Sequence, residues 1–130
     1  MIKLLATVAL AVTLSGCASL TSKIPSFSDS NQSARIIDVR QSVAQLDCKQ
    51  PHAAQVKKIS DNLEWFDMYS ESKGLRQTDV RTLIKPMRET VDDFYKRSVE
   101  KEGSPAYCEA KKKIMSAQAE KAAAAVLSRF

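Results

Sequence analysis

A chain of 130 residues is long enough for one small domain and too short for two. Lys and Arg number 20 against 15 Asp and Glu, for a formal net charge of +5, a modest excess. The basic residues alternate with acids, as at Asp92-Asp93 before Lys96-Arg97, and only Lys111-Lys112-Lys113 is unbroken, which argues against the one-faced basic stripe of a nucleic-acid binder.

The N-terminus has the form of an export signal. Lys3 supplies a positive n-region, and Leu4 to Leu14 carries no charge but is too short to span a bilayer as a helix. Leu14-Ser15-Gly16-Cys17 closes this run and resembles the lipobox of bacterial lipoproteins. That resemblance implies a signal peptide over residues 1–16, cleavage before Cys17, and lipidation of Cys17, palmitate included. Ala18 follows the cysteine where an Asp would imply retention in the inner membrane. The expected location is therefore the outer membrane, on its periplasmic face. The membrane is then a partner through the acyl chains on Cys17, and at ~0.8 kcal/mol per buried CH₂ a multiply acylated anchor is effectively permanent. An exported chain has no access to nucleic acid, so none is expected as a partner.

Residues 17–32 are rich in Ser, Thr and Asn, contain Pro25 and show no apolar periodicity, which predicts a flexible tether. From residue 33 to 130 the rhythm is helical. Ile36, Val39, Val43 and Leu46 form one stripe of a first helix over 33–47, which Lys49-Gln50-Pro51 ends. A second helix starts near Pro51, with Val56, Ile59, Leu63 and Phe66 on its stripe, Trp65 and Tyr69 beside it, and Lys73-Gly74 as its stop. A third is capped by Thr78 or Asp79, with Val80, Leu83 or Ile84, Met87, Val91, Phe94 and Val99 inward. Pro86 predicts either a kink or a break after Ile84. Gly103 ends it, Ser104 caps a fourth helix and Pro105 takes its first position. That helix runs through Tyr107, Ile114 and Met115 into an alanine-rich end, which forms helix readily but offers little apolar area. The expectation there is a half-exposed, fraying segment, or one that docks a partner through small-residue contact. No stretch alternates like a strand, so the fold class is all-α, a small bundle of about four helices.

With Cys17 assigned to lipid, Cys48 and Cys108 remain, and in an oxidising periplasm they most simply form one disulfide. Closing a loop of about sixty residues would stabilise the fold by roughly 4 kcal/mol in the chain-entropy model. In an up-down-up-down bundle the end of helix one and the start of helix four share a pole, which makes the bridge geometrically sensible. Zinc is the rival, but His52 near Cys48 is the only histidine and there is no CxxC pair, so no metal and no cofactor is expected.

Catalytic chemistry finds no footing, and no catalytic residue is assigned. A serine nucleophile needs a base, and His52 sits in a polar break between helices, where a lone histidine reads as a surface residue. Asp92 and Asp93 are adjacent on a helix and point about 100° apart. No phosphate loop, HExxH or nucleotide fingerprint is present. Trp65, Phe66 and Tyr69 are dense enough for a ligand face, although aromatics at helical spacing also make cores.

The layout of lipobox, tether, helix ending in Cys48, helix ending in Lys73-Gly74, then Pro105 and Cys108 opening a fourth helix resembles the type II secretion pilotins of the PulS/OutS kind. The resemblance implies a protein partner, the C-terminal segment of a secretin. It also implies a groove between helices two and three, with Trp65, Phe66, Tyr69 and Phe94 as partner-binding anchors. Two other readings stay open. One is a phage- or plasmid-borne envelope lipoprotein acting in superinfection exclusion or lysis. The other is a structural envelope lipoprotein touching peptidoglycan.

Overall fold

The computed structural model describes residues 29–129, so the lipobox, Cys17 and all of the tether up to residue 28 lie outside the described residues. The described residues form four helices: α1 (Ser30–Ala44), α2 (His52–Ser72), α3 (Thr78–Glu100) and α4 (Pro105–Leu127). A short 3₁₀ turn, Leu75–Gln77, leads into α3, and no strand occurs among the described residues. Each helix packs on its neighbours in sequence and α4 closes back on α1, giving the square arrangement of an up-down-up-down bundle.

The helix ends follow local chemistry. The Asp29 carboxylate caps α1 by accepting from the Asn31 and Gln32 N–H groups at 2.9 and 3.2 Å. The helix therefore begins at Ser30, three residues before the expected start at 33, and residues 29–32 belong to the bundle, not to the tether. Gln32 shows why. It is buried, and its amide donates to Ser70 Oγ and Gln77 Oε1, both at 3.0 Å, tying α1 to α2 and to the 3₁₀ turn. A polar side chain satisfied in the interior leaves no trace in hydrophobic periodicity.

Gly74 takes φ +86° with ψ −166°, a positive-φ conformation that favours glycine, and α2 stops just before it, as Lys73-Gly74 predicts. Ser104 accepts from the Tyr107 N–H at 3.1 Å with Pro105 behind it, again as expected. Neither Thr78 nor Asp79 caps α3. The Thr78 hydroxyl instead donates to the Leu75 carbonyl at 2.9 Å. Pro86 does not break the helix: α3 is continuous, and both Pro86 and Thr82, whose carbonyl loses its donor, lie on the exposed side where water serves it.

The core divides along the bundle axis. At one pole Val39, Val43, Leu46, Val56, Ile59, Met87, Val91, Phe94 and Met115 surround Cys48 and Cys108. Those cysteines form the disulfide, with Cα atoms 5.6 Å apart across 60 residues. At the other pole, Ile36, Phe66, Val80 and Ile84 pack with Ala122, Ala123 and Val126. The alanine-rich end of α4 is thus an integral layer, not a frayed extension. Its small side chains share this layer with the Phe66 ring. Ile84 is the inward residue of the third stripe and Leu83 is not. Val99 points out at 61% exposure, while Ser98 is buried in its place with its hydroxyl on the Phe94 carbonyl. No described helix is long and apolar enough to cross a membrane.

Candidate binding surfaces

The four aromatic residues singled out from the sequence do not line one groove. Phe66 and Phe94 have no exposed surface and belong to different halves of the core. Phe94 lies 5.8 Å from the His52 ring and meets Tyr107 edge-on at 5.6 Å. Neither phenylalanine can reach a partner, so their expected role as anchors is corrected to core packing.

Trp65 and Tyr69 do reach the surface, one turn apart on α2, but they face α1 and not α3. Their rings stack at 4.8 Å and 9°, with the Arg35 guanidinium 4.4 Å from the Trp65 centroid and Lys73 Nζ 5.0 Å from that of Tyr69. The Tyr69 hydroxyl donates to Asp29 at 3.0 Å and accepts from the Asn31 amide at 3.0 Å. Lys73 Nζ stands 3.7 Å from the same carboxylate. This is a latch holding the start of α1 against the end of α2. Partial desolvation pushes the Asp29 carboxyl up. The Gln32 N–H, Tyr69 hydroxyl, Asn31 N–H and Lys73 charge together outweigh it and hold its pKa below the ordinary value.

Between α2 and α3 the surface is polar. A cleft of about 310 Å³ is lined by Asp67, Thr78, Arg81, Thr82, Lys85 and Arg88. Asp67 sits at its floor with only 14% of the side chain exposed. Arg81 grips it through Nε and Nη2 at 2.9 and 3.3 Å, and Arg88 adds Nη1 at 2.7 Å. Arg81 Nη1 also stands 3.5 Å from Glu71. The Arg81 hydrogen bonds, with the charge of Arg88 and against the cost of desolvation, hold the Asp67 carboxyl below the usual carboxylate range. The signal for this site was in the chain: Arg81, Lys85 and Arg88 recur at i, i+4 and i+7, one face of a helix. Interspersed acids concealed it in any reading based on charge runs.

Asp29 and Asp67 both have lowered folded pKa values, which fixes the sign of an acid effect. Their contribution is fully present above the unfolded carboxylate value, near about 4, and is lost as the pH falls through the lower folded values. Asp67→Asn will flatten this acid limb as well as lower stability at neutral pH. Urea midpoints measured from neutral pH to pH 2 for both chains give the test, and parallel curves would remove Asp67 from the acid response.

At the disulfide pole His52 is not a surface residue. It is 2% exposed, with Nε2 at 3.1 Å from the Cys48 carbonyl and Nδ1 at 2.8 Å from Glu102 Oε1. The same Glu102 oxygen accepts the His52 backbone N–H at 2.9 Å. Pro51, at the start of α2, offers no side-chain cap, and Glu102 from the α3–α4 connection fills that role across the fold. Two lysines of the basic run also serve structure: Lys112 Nζ donates to the Leu46 carbonyl at 2.8 Å, and Lys111 pairs with Asp93 at 3.3 Å. Among the described residues no cluster of three His, Cys, Asp or Glu could hold a metal ion.

Comparison with known protein families, with curated proteins and with solved structures gives no match for this chain.

Proposed function

We propose that this chain is a lipid-anchored periplasmic binding module of the outer membrane that holds a segment of another envelope protein. The first candidate for that segment is the C-terminal tail of a secretin. The observation that carries the reading is the Cys48–Cys108 disulfide, whose 5.6 Å Cα separation joins α1 to α4 at one pole. A bridge buried in the core of a small domain suits an oxidising compartment, the destination that the Leu14-Ser15-Gly16-Cys17 resemblance implies. The short connections and side-by-side helices leave long clefts between neighbours, the geometry in which helical domains accept a peptide. Within this bundle the α2–α3 cleft is the favoured seat, because the Trp65–Tyr69 face is already closed by Arg35, Lys73 and Asp29.

The experiment has two arms. Labelled palmitate fed to expressing cells should mark the wild-type chain and be lost in Cys17→Ser, with fractionation moving from outer membrane to soluble periplasm. Peptides from the C-termini of secretins of the same genome, titrated into the isotope-labelled full chain in detergent, should shift amide signals of α2 and α3. Unlabelled wild type would overturn the anchor. No shift with any secretin peptide would overturn the pilotin role.

A further inference from the structure

We propose that the α2–α3 cleft is a docking groove for an acidic peptide segment whose carboxylates recur on successive helical turns. This rests on the reading of the chain as a module that grips a partner segment, and it supplies the chemistry of that segment.

The cleft is lined by three cations, Arg81, Lys85 and Arg88, with Asp67 between them, and Glu71 stands 3.5 Å from Arg81 beside it. The Asp67 carboxylate is covered by its partners. Two guanidinium groups hold it, so it orients them without presenting free negative charge to the opening. Arg81 and Arg88 keep about a third of their side-chain surface exposed, 36% and 34%. Lys85 lies between them along the helix and has no ion-pair partner among the described residues. Thr78 and Thr82 extend the same face, each with its hydroxyl hydrogen on a backbone carbonyl, so their oxygens remain available as acceptors only. The uncompensated charge therefore centres on Lys85, and Arg81 and Arg88 flank it with partly exposed guanidinium groups.

Their spacing selects the ligand. From Arg81 to Arg88 the helix rises about 10 Å, two turns. A single phosphate or free carboxylate spans a fraction of that length. A helix laid alongside, with Glu or Asp at i, i+4 and i+7, meets all three cations at matching intervals. Concavity disfavours a planar lipid surface, which would touch the rim and leave the Asp67 floor unmet. The preformed Asp67 cluster holds the arginine forks in place, so little side-chain entropy is lost on binding.

The probe is a helix-forming peptide of about 15 residues with Glu at i, i+4 and i+7, alongside its Gln counterpart, added to the isotope-labelled full chain. The Glu peptide should shift the amides of Thr78, Thr82 and Lys85, and the Gln peptide should not. Lys85→Glu should weaken binding roughly tenfold, Lys85→Gln less, and Lys113→Glu, on α4 and outside the cleft lining, hardly at all. Raising salt from about 0.05 to 0.5 M should weaken it further. Equal shifts from both peptides, or shifts centred on Lys111 to Lys113, overturn the groove. So does a response of these residues to phosphatidylglycerol vesicles without one to the Glu peptide. A secretin peptide that binds elsewhere on the bundle, with no response to the Glu peptide, overturns the acidic groove and leaves the gripping module standing. Binding of the Glu peptide with no response to secretin tails upholds the groove and removes the secretin.

Discussion

Phe94→Ala will destabilise the fold by about 3–5 kcal/mol, the cost of emptying a buried phenylalanine site whose walls cannot fully collapse. Phe94 has no exposed surface and sits among Met87, Val91, Met115 and the two bridged cysteines. The His52 and Tyr107 rings close the cavity at 5.8 and 5.6 Å and are held in turn by Glu102 and by the start of α4. Walls so fixed relax little, which places the effect toward the upper part of the range. Trp65→Ala makes the contrast. That ring is 38% exposed and its loss should cost about 1–2 kcal/mol, mainly the Arg35 and Tyr69 contacts. Urea unfolding of both variants reads the difference. Were Phe94 a partner anchor instead, alanine would weaken binding and leave the unfolding midpoint in place.

Loss of the disulfide will have an effect of similar size. A 60-residue separation corresponds to roughly 4 kcal/mol in the chain-entropy account. Set against a typical total of about 5–15 kcal/mol, this places a bundle of this size near the edge of folding. The Cys48→Ser/Cys108→Ser chain should therefore unfold at markedly lower urea with a nearly unchanged native spectrum in water. Cys48 and Cys108 are 5% and 0% exposed, so a reductant reaches them only when the pole opens. Dithiothreitol alone will act slowly in buffer and fast near the unfolding midpoint. A rate independent of urea would mean that the bridge is accessible in the folded state.

The parts of this fold that were legible in the sequence are those where one residue's chemistry decides the outcome locally. Gly74, Ser104 and Pro105 mark helix ends because a positive-φ glycine, a capping hydroxyl and a missing N–H act within one turn. Ile36, Val39, Val43 and Leu46 form a stripe because burial follows the helical period. The misses share a different cause, since each depends on a residue far away in the chain. Gln32 is buried because Ser70 and Gln77 answer it, and His52 because Glu102, fifty residues on, reaches over it. Ala122 and Ala123 are core because they share a buried cluster with Ile36, Phe66, Val80 and Ile84 from the other three helices. The candidate site follows the same rule. Arg81, Lys85 and Arg88 show their spacing in the sequence, but Asp67, which turns two of them into a preorganised fork, belongs to another helix.

The disulfide also governs how the domain bears force. With the bundle gripped through α2 or α3, a pull on the chain ahead of Asp29 meets first the Tyr69–Lys73 latch and then the length of α1. Peeling can proceed no further than Cys48. There the load divides between the backbone into α2 and the sulfur bridge into α4, so two helices must give way together where one gave way before. Ahead of the bridge only α1 can be drawn out as slack.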